Sequence, residues 1–372
     1  MKFCKQVLFY RLKTSFEKVV CEPSDSGGST KRHNTMQATK RFVARRFHSK
    51  TKVMARKLAK NAIFSVIALI AIFVVNFFLP RFMPGDPLDN LIGAEESVLT
   101  HEQYAELYSK MGLDKPLHEQ FGMYVKNLFK GEWGYSYHQG KDVGQVLAEK
   151  IPRTLQIAIP AWILSALLAY WLGLAAGYKK SRFQDVSLTS AMVLVDAIPN
   201  FLLAIMLLIL FAFEWKILPS GALNSVGGGG FLDRLEHLVL PVGTLVLAST
   251  PKKYLLVRNQ AASVCDTRYA VYARAKGLSG ACIKNRHIFP NISAPFISML
   301  GTSFGHMIAG SIVIEKVFSI DGIGMLVNKA IYNKDFPMLQ GALLVIALSV
   351  IVSNFIADAV SIFVDPSQRR RS

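Results

Sequence analysis

Apolar residues in this chain gather into long unbroken runs rather than recurring at the spacing of a half-buried helix or strand. Asn61 to Pro80 and Thr154 to Tyr178 carry no charge, and Val186 to Phe213 is interrupted only by Asp196. Ile288 to Ile314 and Phe336 to Ala357 have the same character, and each run approaches the roughly 20 apolar residues that cross a bilayer as a helix. Residues 236–258 are weaker. His237 to Pro251 is uncharged but short, and a helix continuing through Tyr254 to Val257 requires Lys252 and Lys253 to snorkel. A single apolar run is compatible with a buried core helix; six of them separated by charged loops predict an all-α integral membrane protein with six transmembrane helices.

The division that follows is a tail over 1–55, a first span over 56–80, a segment over 81–153, five further spans over 154–368 with a loop at 259–287, and a short tail over 369–372. The connection between the first two spans is too long for a simple linker, so it is expected to fold as a small helical unit. Thr100 to Met111 reads as a helix stopped by Gly112. Pro116 suits the first turn of another, with Leu117, Phe121, Tyr124 and Leu128 on one face. Asp142 with Gln145 resembles a capping box opening a third, and Ile151-Pro152 leads into the second span.

Composition agrees: 51% of the 372 residues are hydrophobic, 18% are charged, and mean hydropathy is +0.31. The net charge of +18 would suggest nucleic acid if it lay on a globular surface. Residues 1–60 instead hold 16 basic and 3 acidic residues, and most of the remainder lies in short loops, so no nucleic-acid partner is expected. Lys and Arg accumulate on the cytoplasmic side of membrane proteins. The basic tail, the Lys179, Lys180 and Arg182 loop, residues 252–286 with 8 basic residues against Asp266, and Arg369 to Arg371 are therefore inside. Residues 81–150, with 7 basic and 11 acidic residues, are outside. Both termini are thus expected in the cytoplasm, and the protein in the cell membrane.

No cleavable leader is expected, because an apolar run of suitable length first appears at residue 61 and no small-residue cleavage site follows it. Residues 1–53 read as a disordered basic tail, dispensable or an over-extension before Met54. Cys4, Cys21, Cys265 and Cys282 all fall on the cytoplasmic side without metal-ligand spacing, as free thiols.

Candidate chemistry is concentrated in the loop. Asp266 reads as an N-cap, Thr267 to Lys276 as a short helix, Gly277 as its stop and Ser279 as the cap of a second helix. Ala270, Ala273 and Gly277 would form a small-residue face open to another backbone, a docking element or a membrane-surface helix. Within the spans, Asp196 before Pro199 is the one acid well away from a span end. It should face an interface or a wet cavity, either to meet a substrate amine or to be hydrogen-bonded at a helix break. His306 is a weaker candidate for the same path, while Glu315 and Asp358 lie near span ends and read as interfacial. No phosphate-cradling Gly-x-x-x-x-Gly-Lys-[Ser/Thr] and no catalytic or metal-binding pattern occurs.

Tyr269-Ala270-x-x-Ala273-Arg274-Ala275-Lys276-Gly277-Leu278-Ser279, then Arg286-His287 and Pro290-Asn291, resemble the loop signature of permease subunits of binding-protein-dependent ABC importers, in the oligopeptide, dipeptide and nickel branch. Met83 to Pro87, Leu113-Asp114-x-Pro116-Leu117, Gly131 to Ser136, Leu218 to Gly221, Glu315-x-Val317-Phe318, Gly322-Ile323-Gly324, Gln340-Gly341 and Asp365-Pro366 agree with it over about residues 56–368. The resemblance implies import of peptides, or alternatively of nickel or another small solute, with no cofactor on this chain. ATP and Mg would be held by two partner ATPases. A second permease subunit and an extracytoplasmic substrate-binding protein would complete the complex. It further implies that Asp266, Tyr269, Ala270, Ala273, Arg274, Ala275, Lys276, Gly277 and Leu278 form the coupling helix on the ATPase. A lone ion-coupled carrier is the competing class; it should show internal repeats and several intramembrane charges.

Overall fold

The computed structural model describes residues 56–82, 100–110, 113–136, 138–179, 182–225, 227–228 and 230–364. The basic tail, Cys4, Cys21, Met83 to Pro87, Met111-Gly112 and residues 365–372 lie outside them. The described residues all belong to one compact unit.

The described chain is helical apart from one two-stranded ribbon. Helix α1 is Arg56–Arg81, α2 His101–Lys110 and α3 Leu117–Lys130. Strands β1 (Tyr135–Ser136) and β2 (Lys141–Asp142) pair antiparallel, Tyr135 opposite Asp142. Then follow α4 (Val143–Tyr178), α5 (Phe183–Ala197), α6 (Asn200–Glu214), α7 (Phe231–Cys265), α8 (Arg268–Ala275), α9 (Gly280–Val317), α10 (Ile323–Tyr332) and α11 (Phe336–Val364). Four of these, α1, α4, α9 and α11, are long and apolar enough to cross a membrane, and a fifth span results if the bent pair α5 and α6 counts as one. Helix α7 has 35 residues, about 52 Å of rise, but is not among the apolar set. Its Asp233, Arg234, Glu236, Lys252, Lys253 and Arg258 account for that.

Several boundaries differ from the pattern of the sequence. The expected third helix of the connection and the second span are one 36-residue helix, α4, continuous through Pro152 and Pro160. Asp142 precedes it in extended conformation without a side-chain cap bond. The capping box forms instead at α2, where Thr100 N–H donates to Gln103 Oε1 (3.0 Å) and Gln103 N–H to Thr100 Oγ1 (3.4 Å). Pro116 sits just before α3 rather than within its first turn. Phe121 and Tyr124 of α3 pack on Phe77 as their face requires, with ring centroids 5.3 and 5.7 Å away, whereas Leu117 is exposed. The third expected span is broken: α5 and α6 meet at 98° across Ile198-Pro199.

The most extensive pairing is α4 against α7. It is close because Gly173 and Gly177 remove side chains from the contact; a Cβ on Gly177 would lie 2.6 Å from the Arg258 carbonyl oxygen. Gly301 and Gly305 of α9 do the same against α11, at Ala357 and Val350. Small residues at helix contacts are what association within lipid uses in place of hydrophobic burial. Helix α1 lies on α11 through polar contacts: Asn61 Nδ2 donates to Asp358 Oδ2 (3.0 Å), Asn76 Nδ2 to the Gln340 carbonyl (2.9 Å) and Gln340 Nε2 to the Asn76 carbonyl (2.6 Å). Ser298 Oγ also donates to Asp358 (3.3 Å). Its other faces expose Ile63, Phe64, Val66, Ile67 and Ile70, which a lipid solvent accommodates and water does not.

Candidate functional site

Helix α7 delivers the chain to the loop. Asp266 ends α7 in helical conformation, so the N-cap position of α8 falls on Thr267, not Asp266. Thr267 Oγ1 turns back to donate to the Val264 carbonyl (2.6 Å). Helix α8 runs only from Arg268 to Ala275, after which Gly277 takes φ of 72°, a left-handed conformation that a Cβ disfavours. Ser279 Oγ then accepts from Cys282 N–H (3.3 Å) and opens α9, as its position in the sequence suggests.

The face presented by this element is the reverse of the one expected. Ala270 and Ala273 are buried within the chain's own fold, and Ala273 packs with Leu174, Val257, Ala261, Cys265, Ile283 and Ile288. Small residues are needed there because α8 folds back onto α7 and the start of α9, leaving no room for longer side chains. Arg274 secures this fold: its Nη2 donates to the Cys265 carbonyl (2.7 Å), and its guanidinium lies over the Tyr178 ring (5.8 Å). The outer surface is instead Val271, Tyr272, Ala275 and Leu278 with basic Arg268 and Lys276, and Tyr272 is 68% exposed. Tyr269 is half-buried, and Gly277 has nothing within 4 Å of a built Cβ. The helical period contained the signal for Tyr272, since it places this residue on the side of the helix away from Ala270.

Behind the loop, α7 is tied to its neighbours by polar groups. Lys253 does not snorkel: it is 0% exposed, and its Nζ donates to Ser165 Oγ of α4 (2.7 Å). Lys252 is exposed. Tyr254 OH and Thr189 Oγ1 of α5 share a hydrogen bond of 2.9 Å. Arg258 donates in bidentate fashion to fully buried Asp185, from Nε to Oδ1 (2.9 Å) and from Nη2 to Oδ2 (2.6 Å).

Asp196 and Pro199 are both exposed and fall together at the bend between α5 and α6. His306 is exposed on α9, and among the described residues no hydrogen bond or ion pair joins the three.

At the other end of the bundle, Glu315 overturns its interfacial reading. It is 0% exposed, and its carboxylate accepts from Thr154 Oγ1 (2.8 Å), Ser311 Oγ (3.0 Å), Gly324 N–H (2.7 Å) and Met325 N–H (3.3 Å). Those donors replace water, and the last two belong to the N-terminus of α10, where a negative charge is favourable. Gly322 and Gly324 permit the approach; a Cβ on Gly324 would meet Glu315 Oε2 at 2.9 Å. Nearby, Asp321 bonds Lys150, Arg153 Nη1 (2.7 Å) and Lys329 (3.4 Å). Partial burial works against its ionisation, but Lys150 and Lys329 hold the carboxyl below the ordinary value. Among the described residues, no three His, Cys, Asp or Glu side chains gather as a metal would need, and Cys282 is a free thiol.

Residues 169–370 match the family described as binding-protein-dependent transport system inner membrane component, and residues 54–158 match its N-terminal companion family. A dipeptide transport system permease protein of Lactococcus lactis is 29% identical over 85% of this chain and 100% of its own length. A glutathione transport system permease protein of Salmonella choleraesuis is 29% identical over 85% of this chain and 99% of its own.

Proposed function

Since the chain belongs to the inner membrane components of binding-protein-dependent transport systems, a family of ABC permease subunits with multi-pass membrane topology, we propose that it forms half of the pathway of an ATP-driven peptide importer. The observation that carries this reading is the similarity, over 85% of the chain, to relatives named for dipeptide and glutathione transport.

In this reading six spans cross the membrane: α1, α4, the bent pair α5 and α6, α7, α9 and α11. Both termini are cytoplasmic, which the basic loops support. A second permease subunit, two ATP-binding subunits that hold ATP and Mg, and an extracytoplasmic substrate-binding protein complete the complex. The α1–α4 connection faces the binding protein.

Helix α8 is the coupling helix, with Val271, Tyr272, Ala275 and Leu278 as its contact with the ATPase. Ala270, Ala273 and Arg274 hold it to the bundle, and Gly277 sets its exit. Support comes from the exposed aromatic on an element otherwise bound tightly to its own chain, a pattern characteristic of an anchor for a partner. ATP-driven closure of the ATPases then moves a rigid element rather than a slack loop, as a two-state mechanism needs. Asp196 and Pro199, at the bend of a broken helix, together with His306 line the path; a discontinuous helix is where transporters expose polar groups at membrane depth.

Affinity purification of the chain from its native membrane in gentle detergent tests the reading. The expected result is a second permease and ATPases in the eluate, and peptide uptake by the reconstituted complex only with ATP. Purification of this chain alone, with uptake driven by an ion gradient, would return the protein to the secondary-carrier class.

A further inference from the structure

Resting on the importer reading, we propose that the Arg258–Asp185 pair is the joint through which movement of α8 reaches the bent helix pair α5 and α6, and so the translocation path. Arg258 lies two helical turns before the end of α7 at Cys265, and only Asp266 and Thr267 separate that end from α8. Helix α8 cannot swing independently of α7, because Arg274 holds the Cys265 carbonyl and Ala270 and Ala273 are buried against the bundle. A displacement of α8 therefore becomes a displacement of the end of α7.

What receives it is α5. This helix packs mainly on α7 and less on α4, and its other surfaces expose Val186, Val193 and Leu194. Among the described residues, two polar ties join it to α7, both in its first two turns: Asp185 to Arg258, and Thr189 to Tyr254, with Thr189 Oγ1 also donating to Asp185 Oδ1 (3.4 Å). Planar bidentate pairing fixes orientation as well as distance, which a single apolar contact cannot do. The far end of α5 is the 98° bend carrying Asp196. Helix α4 supplies the fixed side, since Lys253 holds Ser165 and the α4 glycines bring its backbone against α7. Arg258 and Asp185 are positioning residues: neither needs to touch substrate.

The test uses the complete complex in proteoliposomes with its ATPases, its binding protein and a labelled mixture of short peptides, measuring ATP hydrolysed and peptide taken up in the same vesicles. Asp185→Asn should assemble and hydrolyse ATP while uptake falls about tenfold, within the range of coupling effects, so that ATP used per peptide rises. The exchange Asp185→Arg with Arg258→Asp should recover part of the loss. An unchanged ratio in Asp185→Asn, or hydrolysis and uptake falling together in proportion to assembled complex, overturns the proposal. If Asp185→Asn does not assemble, Arg258→Lys keeps the charge beside Asp185 and removes the bidentate fork. That variant should raise the same ratio, and an unchanged ratio there overturns the proposal equally. Failure of the importer reading is separate: the wild-type complex would then show no ATP-dependent uptake.

Discussion

Glu315 is the residue whose removal should cost most for its size. Replacing it with Ala orphans the Gly324 and Met325 N–H groups and leaves two hydroxyls to find new acceptors. At about 1–3 kcal/mol for a stranded buried group, Glu315→Ala should lower thermal stability in detergent markedly, and Glu315→Gln, which keeps an acceptor, clearly less. Equal melting temperatures for the two would refute the cage as described. Asp321 gives a pH signature. Its carboxyl titrates below the ordinary value of 3.8, so its contribution is complete above that value and is lost as pH falls through the lower, folded value. The gap in melting temperature between wild type and Asp321→Asn should accordingly be constant from neutral pH to about pH 4 and close below it; a gap that persists into stronger acid would remove the ion cluster from the explanation. Neither residue was readable from its neighbours. Hydropathy places Glu315 at the end of an apolar run, and three of the four donors that let it be buried come from Thr154 of α4 and from the fold-back that starts α10.

Among the elements, α8 is the one where sequence and structure agree on position and disagree on orientation. The turn at Gly277 and the cap at Ser279 follow from residue types that act locally, while the N-cap falls on Thr267 rather than Asp266. Which side faces out depends on α7 and the start of α9, distant partners that no local rule supplies. Gly277→Pro should insert in the membrane normally and lose ATP-driven uptake, because proline fixes φ near −65° and Gly277 requires 72°. Full uptake by that variant would sink the coupling role. Tyr272→Glu should leave stability within about 0.5 kcal/mol, as exposed substitutions do, while sharply reducing recovery of ATPase with the purified chain. Ala273→Leu is the opposite case: it strikes the buried face and should destabilise the fold itself. The break between α5 and α6 was foreshadowed by Pro199, and its 98° angle is what the structure adds.

For the whole molecule, long charge-free runs announced four of the helices, while the run expected over Val186 to Phe213 is two helices and the weaker run at 236–258 belongs to α7, which lies outside the apolar set. The first is bent, and the second buries Lys253 and pairs Arg258 with Asp185. Topology is open to direct measurement: a cysteine at Lys276 should react with an impermeant thiol reagent only in inverted vesicles and one at His138 only in right-side-out vesicles, on a background lacking the native cysteines. Labelling of both from one side would overturn the proposed orientation. Helix α7 also has a consequence for how the protein is made. Its charges make it a poor candidate to leave the insertion machinery for lipid unaided. Helix α4, synthesised earlier and offering Ser165 and the Gly173 and Gly177 surface, presents a ready partner. On the proposed topology, α7 enters the bilayer against a protein template rather than through lipid, so damage to α4 should surface during biosynthesis, as a later segment stranded outside the membrane.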